Sequence, residues 1–174
     1  MATFNLGGDV DNIQEPVLLP NDKYAVIIYA EPEIQPNKAL REKGADAEGA
    51  GHNIILRTKV YLPESPEFNG RQMNNIYLPM VKDGDDEKYN ARGMTIKDHK
   101  LERIAEVVEG FGGEVMGDSI TISKGLMAVG MIIQKKNDTT GKMENELQVF
   151  GSQGNPPFVP YEGERSTDLE NLFK

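Results

Sequence analysis

Residues 53–62 restrict what this chain can fold into more than any other stretch. One parity reads Ile54, Leu56, Thr58, Val60, Leu62, and the other reads Ile55, Arg57, Lys59, Tyr61. Side chains alternate across a strand, so this run predicts a strand with one apolar face and one face carrying two bases and an aromatic ring. Such a strand must bury one side against a core and leave the other for solvent or a ligand. Pro63 ends it, and Asn69-Gly70 marks a turn before a third strand over 71–78. An earlier strand over 23–30 is apolar on both faces, as expected at the centre of a barrel.

Between the first two strands, residues 31–52 dissolve into prolines, glycines and charges and read as a long loop, with one helical turn available at 37–43. A second polar loop spans 79–95 and contains Asp83, Asp85, Asp86 and Glu87. One amphipathic helix follows. Thr95 and Asp98 form a capping-box variant, Leu101, Ile104, Ala105 and Val108 recur at helical spacing, and Gly110, Gly112 and Gly113 supply the stop. Residues 119–122 are a weak strand signal, 126–135 a stronger one, and 143–150 returns after the turn at 137–141. The order predicts an all-β fold with one helix: a five-stranded barrel of the oligonucleotide/oligosaccharide-binding (OB) type, its helix between strands 3 and 4. A flat meander with a helix on one face shares that order. The domain is expected over 17–150, between a lead segment at 1–16 and a flexible acidic C-terminal tail at 151–174.

Composition removes whole classes of function. The chain has 174 residues, no cysteine and two histidines. Disulfides, thiolate metal sites and cysteine nucleophiles are excluded, and little is left for a zinc site or a histidine triad. His52 sits in a loop and His99 on the exposed parity of the helix start. The acidic group at 83–87 lacks the spacing of a calcium loop. No phosphate loop or catalytic set emerges, so neither enzyme nor cofactor or metal is expected. No apolar run is long enough to cross a bilayer, and residues 1–8 lack the features of a secretory signal.

The net charge of −9 argues against nucleic acid until its distribution is considered. Residues 1–22 hold four acids (Asp9, Asp11, Glu15, Asp22) and no base, and 151–174 hold four acids against Arg165 and Lys174, so the centre of the chain is nearly balanced. A local basic groove is compatible with that pattern. Single-strand binders combine cations for phosphates with aromatic platforms for bases. The candidates are Arg57, Lys59 and Tyr61 on the second strand, Arg71 and Tyr77 on the third, and Lys88, Tyr89 and Arg92 in the loop after it. The tip of the tail, Asp168, Leu169, Glu170, Leu172 and Phe173, has the acidic-apolar character of a docking peptide. The methionines alternate with aliphatic residues and read as core.

The run Leu18-Leu19-Pro20-Asn21-Asp22-Lys23-Tyr24 into a strand, Phe68-Asn69-Gly70-Arg71 before the third, the helix at 95–110, Ser123-Lys124-Gly125-Leu126 before another strand, and Asn145 in the last together resemble a group of small bacteriophage single-stranded-DNA-binding proteins. The resemblance implies a barrel of that type, a role in phage replication or recombination in the cytoplasm of the infected host, and an acidic tail that recruits replication proteins and competes for the DNA groove. Homo-oligomerisation stays open. The 31–52 loop is long for the family, and the tail closes on Phe173-Lys174 rather than on a dense acidic run. A phage structural or assembly protein on a small β-domain is the alternative from another class.

Overall fold

The structure, a computed structural model, describes residues 1–152, 154–166 and 169–174. It is mostly β, with three α-helices among the described residues. The elements are β1 (Asp22–Ile28), β2 (Glu33–Pro36), α1 (Lys38–Lys43), β3 (His52–Leu56), β4 (Thr58–Tyr61), β5 (Ile76–Pro79), α2 (Ile96–Gly110), β6 (Glu114–Met116), β7 (Ser119–Thr121), β8 (Met127–Lys136), β9 (Met143–Leu147), β10 (Phe158–Pro160) and α3 (Glu170–Phe173). The lead segment is exposed through residue 17, with one 3-10 turn at Val10–Asn12.

Every strand pairing is antiparallel. A curled five-stranded sheet runs β10-β8-β1-β4, with β9 also on β8; a second sheet runs β2-β3-β5; β6 and β7 form a separate hairpin. The run predicted as one strand over 53–62 divides at Arg57. β3 belongs to the three-stranded sheet and β4 to the five-stranded one. Between them the Arg57 carbonyl accepts the Tyr29 N–H at 3.0 Å. The inward parity nonetheless persists through the break, although Ile55 on the other parity is itself only 4% exposed. Leu56, Thr58 and Val60 are fully buried, and Ile54 packs against the same core.

That core also takes Leu19, Val26 and Ile28, Ile76 and Leu78 of β5, Ile104, Val107 and Val108 of α2, and Ile132 of β8. α2 starts where the cap predicts: the Thr95 hydroxyl accepts the Asp98 N–H at 3.1 Å. Its buried stripe is displaced from the expected one, because Leu101 is exposed while Arg103 and Val107 are buried. At its end Gly112 adopts φ +75°, a conformation nearly free of cost only for glycine. Asn145 joins the sheet to the entry segment, accepting the Leu19 N–H at 2.8 Å and donating to the Leu19 carbonyl at 2.9 Å.

Three expectations need correction. The 31–52 loop contains β2, an edge strand on β3, and α1. Asn37 closes this excursion with one side chain: its Oδ1 caps α1 through Leu40 N–H and accepts Gly51 N–H, while Nδ2 donates to the Gly49 carbonyl at 2.7 Å. The third strand is shorter than 71–78, its regular part being β5 alone. Where the sequence predicts a flexible tail at 151–174, the described residues include β10 and α3, which pack on the domain. Phe158 of β10 is 1% exposed and packs on Phe111, centroids 4.9 Å apart. Its slot is made by two glycines: a Cβ at Gly110 would lie 2.8 Å from Phe158, and one at Gly130 would lie 2.9 Å from its ring. A glycine inside a strand often marks such a close approach.

Candidate nucleic-acid interface

The outward face of the three-stranded sheet is set by its register. Glu33 and Ile55 are partners, as are Ile55 and Tyr77, Gln35 and Asn53, and Asn53 and Pro79. Directly opposed residues share a face, so Glu33, Gln35, Asn53, Ile55, Tyr77 and Pro79 lie together while Leu56, Ile76 and Leu78 point into the core. Arg57 extends this face and forms an ion pair with Glu33. Tyr77 stands out of it with 51% of its surface exposed.

Two adjoining cavities meet at Tyr77 and Asn53. One, of about 480 Å³, reaches α1 and is lined on that side by Lys38 and Arg41. The other, of about 780 Å³, reaches α2 and is lined by Arg92, His99, Lys100, Arg103 and Phe150. Together they make a groove with an aromatic ring at its middle and cations at both ends. Glu33, Glu102 and Glu106 temper the positive charge. Lys100 is largely committed elsewhere: its ammonium meets Asp85 at 2.8 Å and the Met80 carbonyl at 3.2 Å. Burial alone would raise the Asp85 carboxyl pKa, but the hydrogen bonds from Lys100 and the Lys82 N–H outweigh it and hold the group below its ordinary value. The acidic group at 83–87 therefore has a structural anchor in Asp85, which fixes the loop alongside the groove.

The residues expected to bind nucleic acid do not come together on one surface. Tyr77 and Arg92 line the groove, with Arg57 at the edge of its sheet face. Lys88 and Tyr89 are exposed on the loop entering α2, where Tyr89 bridges Thr95. Lys59 and Tyr61 lie instead on the outer face of the five-stranded sheet, with Ile27 and Ala25 as register partners. Lys59 stacks its ammonium over Tyr29 at 4.5 Å. Arg71 donates to the Val17 carbonyl at 2.7 Å and covers Phe68, and it lines neither cavity.

Tyr61 needs correction as an open platform, because it is 3% exposed. The C-terminal segment covers it. Tyr161 meets it edge-on at 5.8 Å, its hydroxyl hydrogen-bonds the Glu164 carbonyl and the Ser166 N–H, and Leu172 packs beside it with Ile27 and Met127. Leu169 and Phe173 join this cluster, and the Lys124 ammonium sits 4.5 Å over the Phe173 ring. The apolar residues expected as a free docking peptide are thus engaged on the domain itself. Glu170 is exposed at the start of α3, and Asp168 lies outside the described residues.

No protein-family model matches the chain, and no curated protein matches it at a significant level. Among the described residues no helix is long and apolar enough to cross a membrane.

Sequence reading missed Lys38, Arg41, Arg103 and Phe150 as groove residues. The first two lay in what reads as a loop. Arg103 had a signal: it stands four residues before Val107 and seven before Gly110, on the stripe that α2 buries.

Proposed function

We propose that this protein binds single-stranded DNA without sequence preference, through the groove over β3 and β5, on a small barrel of the OB type. The observation that carries the reading is Tyr77, a half-exposed ring between two cation-lined cavities on an outward sheet face. Stacking on such a ring is sequence-tolerant because every base has a π-face, and flanking cations follow the backbone. The curled sheet, and the run 52–61 that passes from one sheet to the other, support the barrel. The resemblance to phage single-strand binders supports a role in phage replication or recombination. Recruitment of a replication partner through Leu169, Leu172 and Phe173 then requires release of α3 from Tyr61.

The test is a fluorescence-polarisation titration with labelled oligo-dT and a matched duplex at two salt concentrations. Preference for the single strand, with affinity falling steeply as salt rises, is the expected result. Equal affinity for duplex, or no binding at low salt, overturns the reading.

A further inference from the structure

Arg103 is 9% exposed, and its Nε, Nη1 and Nη2 atoms have no hydrogen-bond partner among the described residues. A charged group removed from water without acceptors is among the costliest arrangements a fold can hold. Burial pushes the guanidinium below its ordinary pKa, with Glu106 partly opposing, yet arginine keeps its proton in proteins and offers only donors. What touches the charge is the Phe150 ring, 4.5 Å from the guanidinium carbon. That ring is itself 73% exposed and is followed by Gly151. One solvent-facing ring thus caps a planar fork of unused donors on the wall of the 780 Å³ cavity, a volume within the usual range for small-molecule sites.

A phosphate matches the arginine fork bidentately. Exposed Arg92, whose nearest carboxylate is Glu102 at 3.8 Å, stands on the same cavity. The ligand must also explain the two aromatic walls, Phe150 and Tyr77. A carboxylate would leave both unused, whereas a nucleotide uses them for its base.

We propose that the cavity between α2, Tyr77 and Phe150 is a nucleotide-phosphate site, in which Phe150 moves off Arg103 and the guanidinium takes the phosphate. The class of ligand rests on the single-stranded-DNA reading; the anion site itself does not. The phosphate comes either from a bound strand or from a free nucleotide.

The chain has no tryptophan, so Phe150→Trp places one reporter over Arg103. The full-length protein is titrated with thymidine monophosphate and with inorganic phosphate, at ionic strength held constant with chloride. Emission of the Phe150→Trp protein and melting temperature of the wild type are read, each with and without Arg103→Met. The nucleotide is expected to change the emission and raise the melting temperature, and Arg103→Met to weaken its affinity at least tenfold. Arg103→Met should melt no lower than wild type, since it removes an unpaired charge. If it does not fold, Arg103→Lys keeps the charge without the fork and should still weaken nucleotide binding several-fold. The proposal is overturned if millimolar nucleotide and phosphate leave both readouts unchanged, or act equally on the arginine variants.

Oligo-dT polarisation on the same proteins separates the two sources. A parallel loss in Arg103→Met assigns the site to the strand, and an unchanged oligo-dT affinity beside lost nucleotide binding assigns it to a free nucleotide; both support the site. Failure of wild type to bind oligo-dT overturns the single-strand reading and leaves this proposal to the nucleotide titration.

Discussion

Phe158→Ala measures how far the C-terminal segment is part of the fold. The side chain is 1% exposed and packed on Phe111. Removing a buried Phe costs about 3–5 kcal/mol, more where the site cannot collapse. Gly110 and Gly130, which wall this slot, have no side chains that could move into the space. A loss of about 4 kcal/mol follows, which for a domain of this size lowers the melting temperature by about 8–16 °C. Circular-dichroism melts of wild type, Phe158→Ala and a Phe4→Ala control report it, because Phe4 is 79% exposed and should be neutral. A drop of less than about 2 °C for Phe158→Ala, well under that estimate, would refute the packing and restore a mobile segment from residue 151.

Leu172→Ala should cost about 2 kcal/mol, the low end for a buried leucine, because α3 covers one surface cluster; urea unfolding with no loss would mean that α3 does not dock on Tyr61. Asp85→Asn should destabilise by about 3 kcal/mol at neutral pH by leaving Lys100 without its carboxylate. The native Asp85 pKa is depressed, so its contribution is full above the unfolded value near about 4 and fades as pH falls through the native one. Melts from pH 7 to pH 3 should therefore show wild type and variant converging, and a constant gap would contradict the ion pair. Arg41→Ala should reduce the salt slope of oligo-dT binding by about 0.7, one single-strand phosphate contact, while Lys59→Ala leaves it unchanged; the reverse would place the strand on the β1–β4 face.

Much of the inner architecture was legible because it rests on local chemistry. The alternation at 54–60 predicts which side chains enter the core, and the Thr95 cap predicts where α2 begins. What was not legible depends on partners distant in sequence. β2 looks like loop because Pro32 precedes it and Pro36 ends it, and its order comes from pairing with β3 and from Asn37. Phe158 sits among prolines, and nothing local reveals that Gly110 and Gly130 open a slot for it. The candidate site divides in the same way. The period-2 rule places Arg57, Lys59 and Tyr61 on one outward parity, but it cannot tell that Tyr161 and Leu172 cover Tyr61 while Tyr77 stays half exposed.

The most direct measurement of the groove is the affinity of Tyr77→Ala for oligo-dT, determined by fluorescence polarisation across a salt series. Loss of one stacking platform is worth about 1–3 kcal/mol, so binding should weaken by about 5- to 150-fold. The salt slope should hold, because no phosphate contact is removed, and so should the melting temperature, because the ring is half exposed. Binding as tight as wild type by a folded Tyr77→Ala protein would contradict the groove as the seat of single-strand recognition.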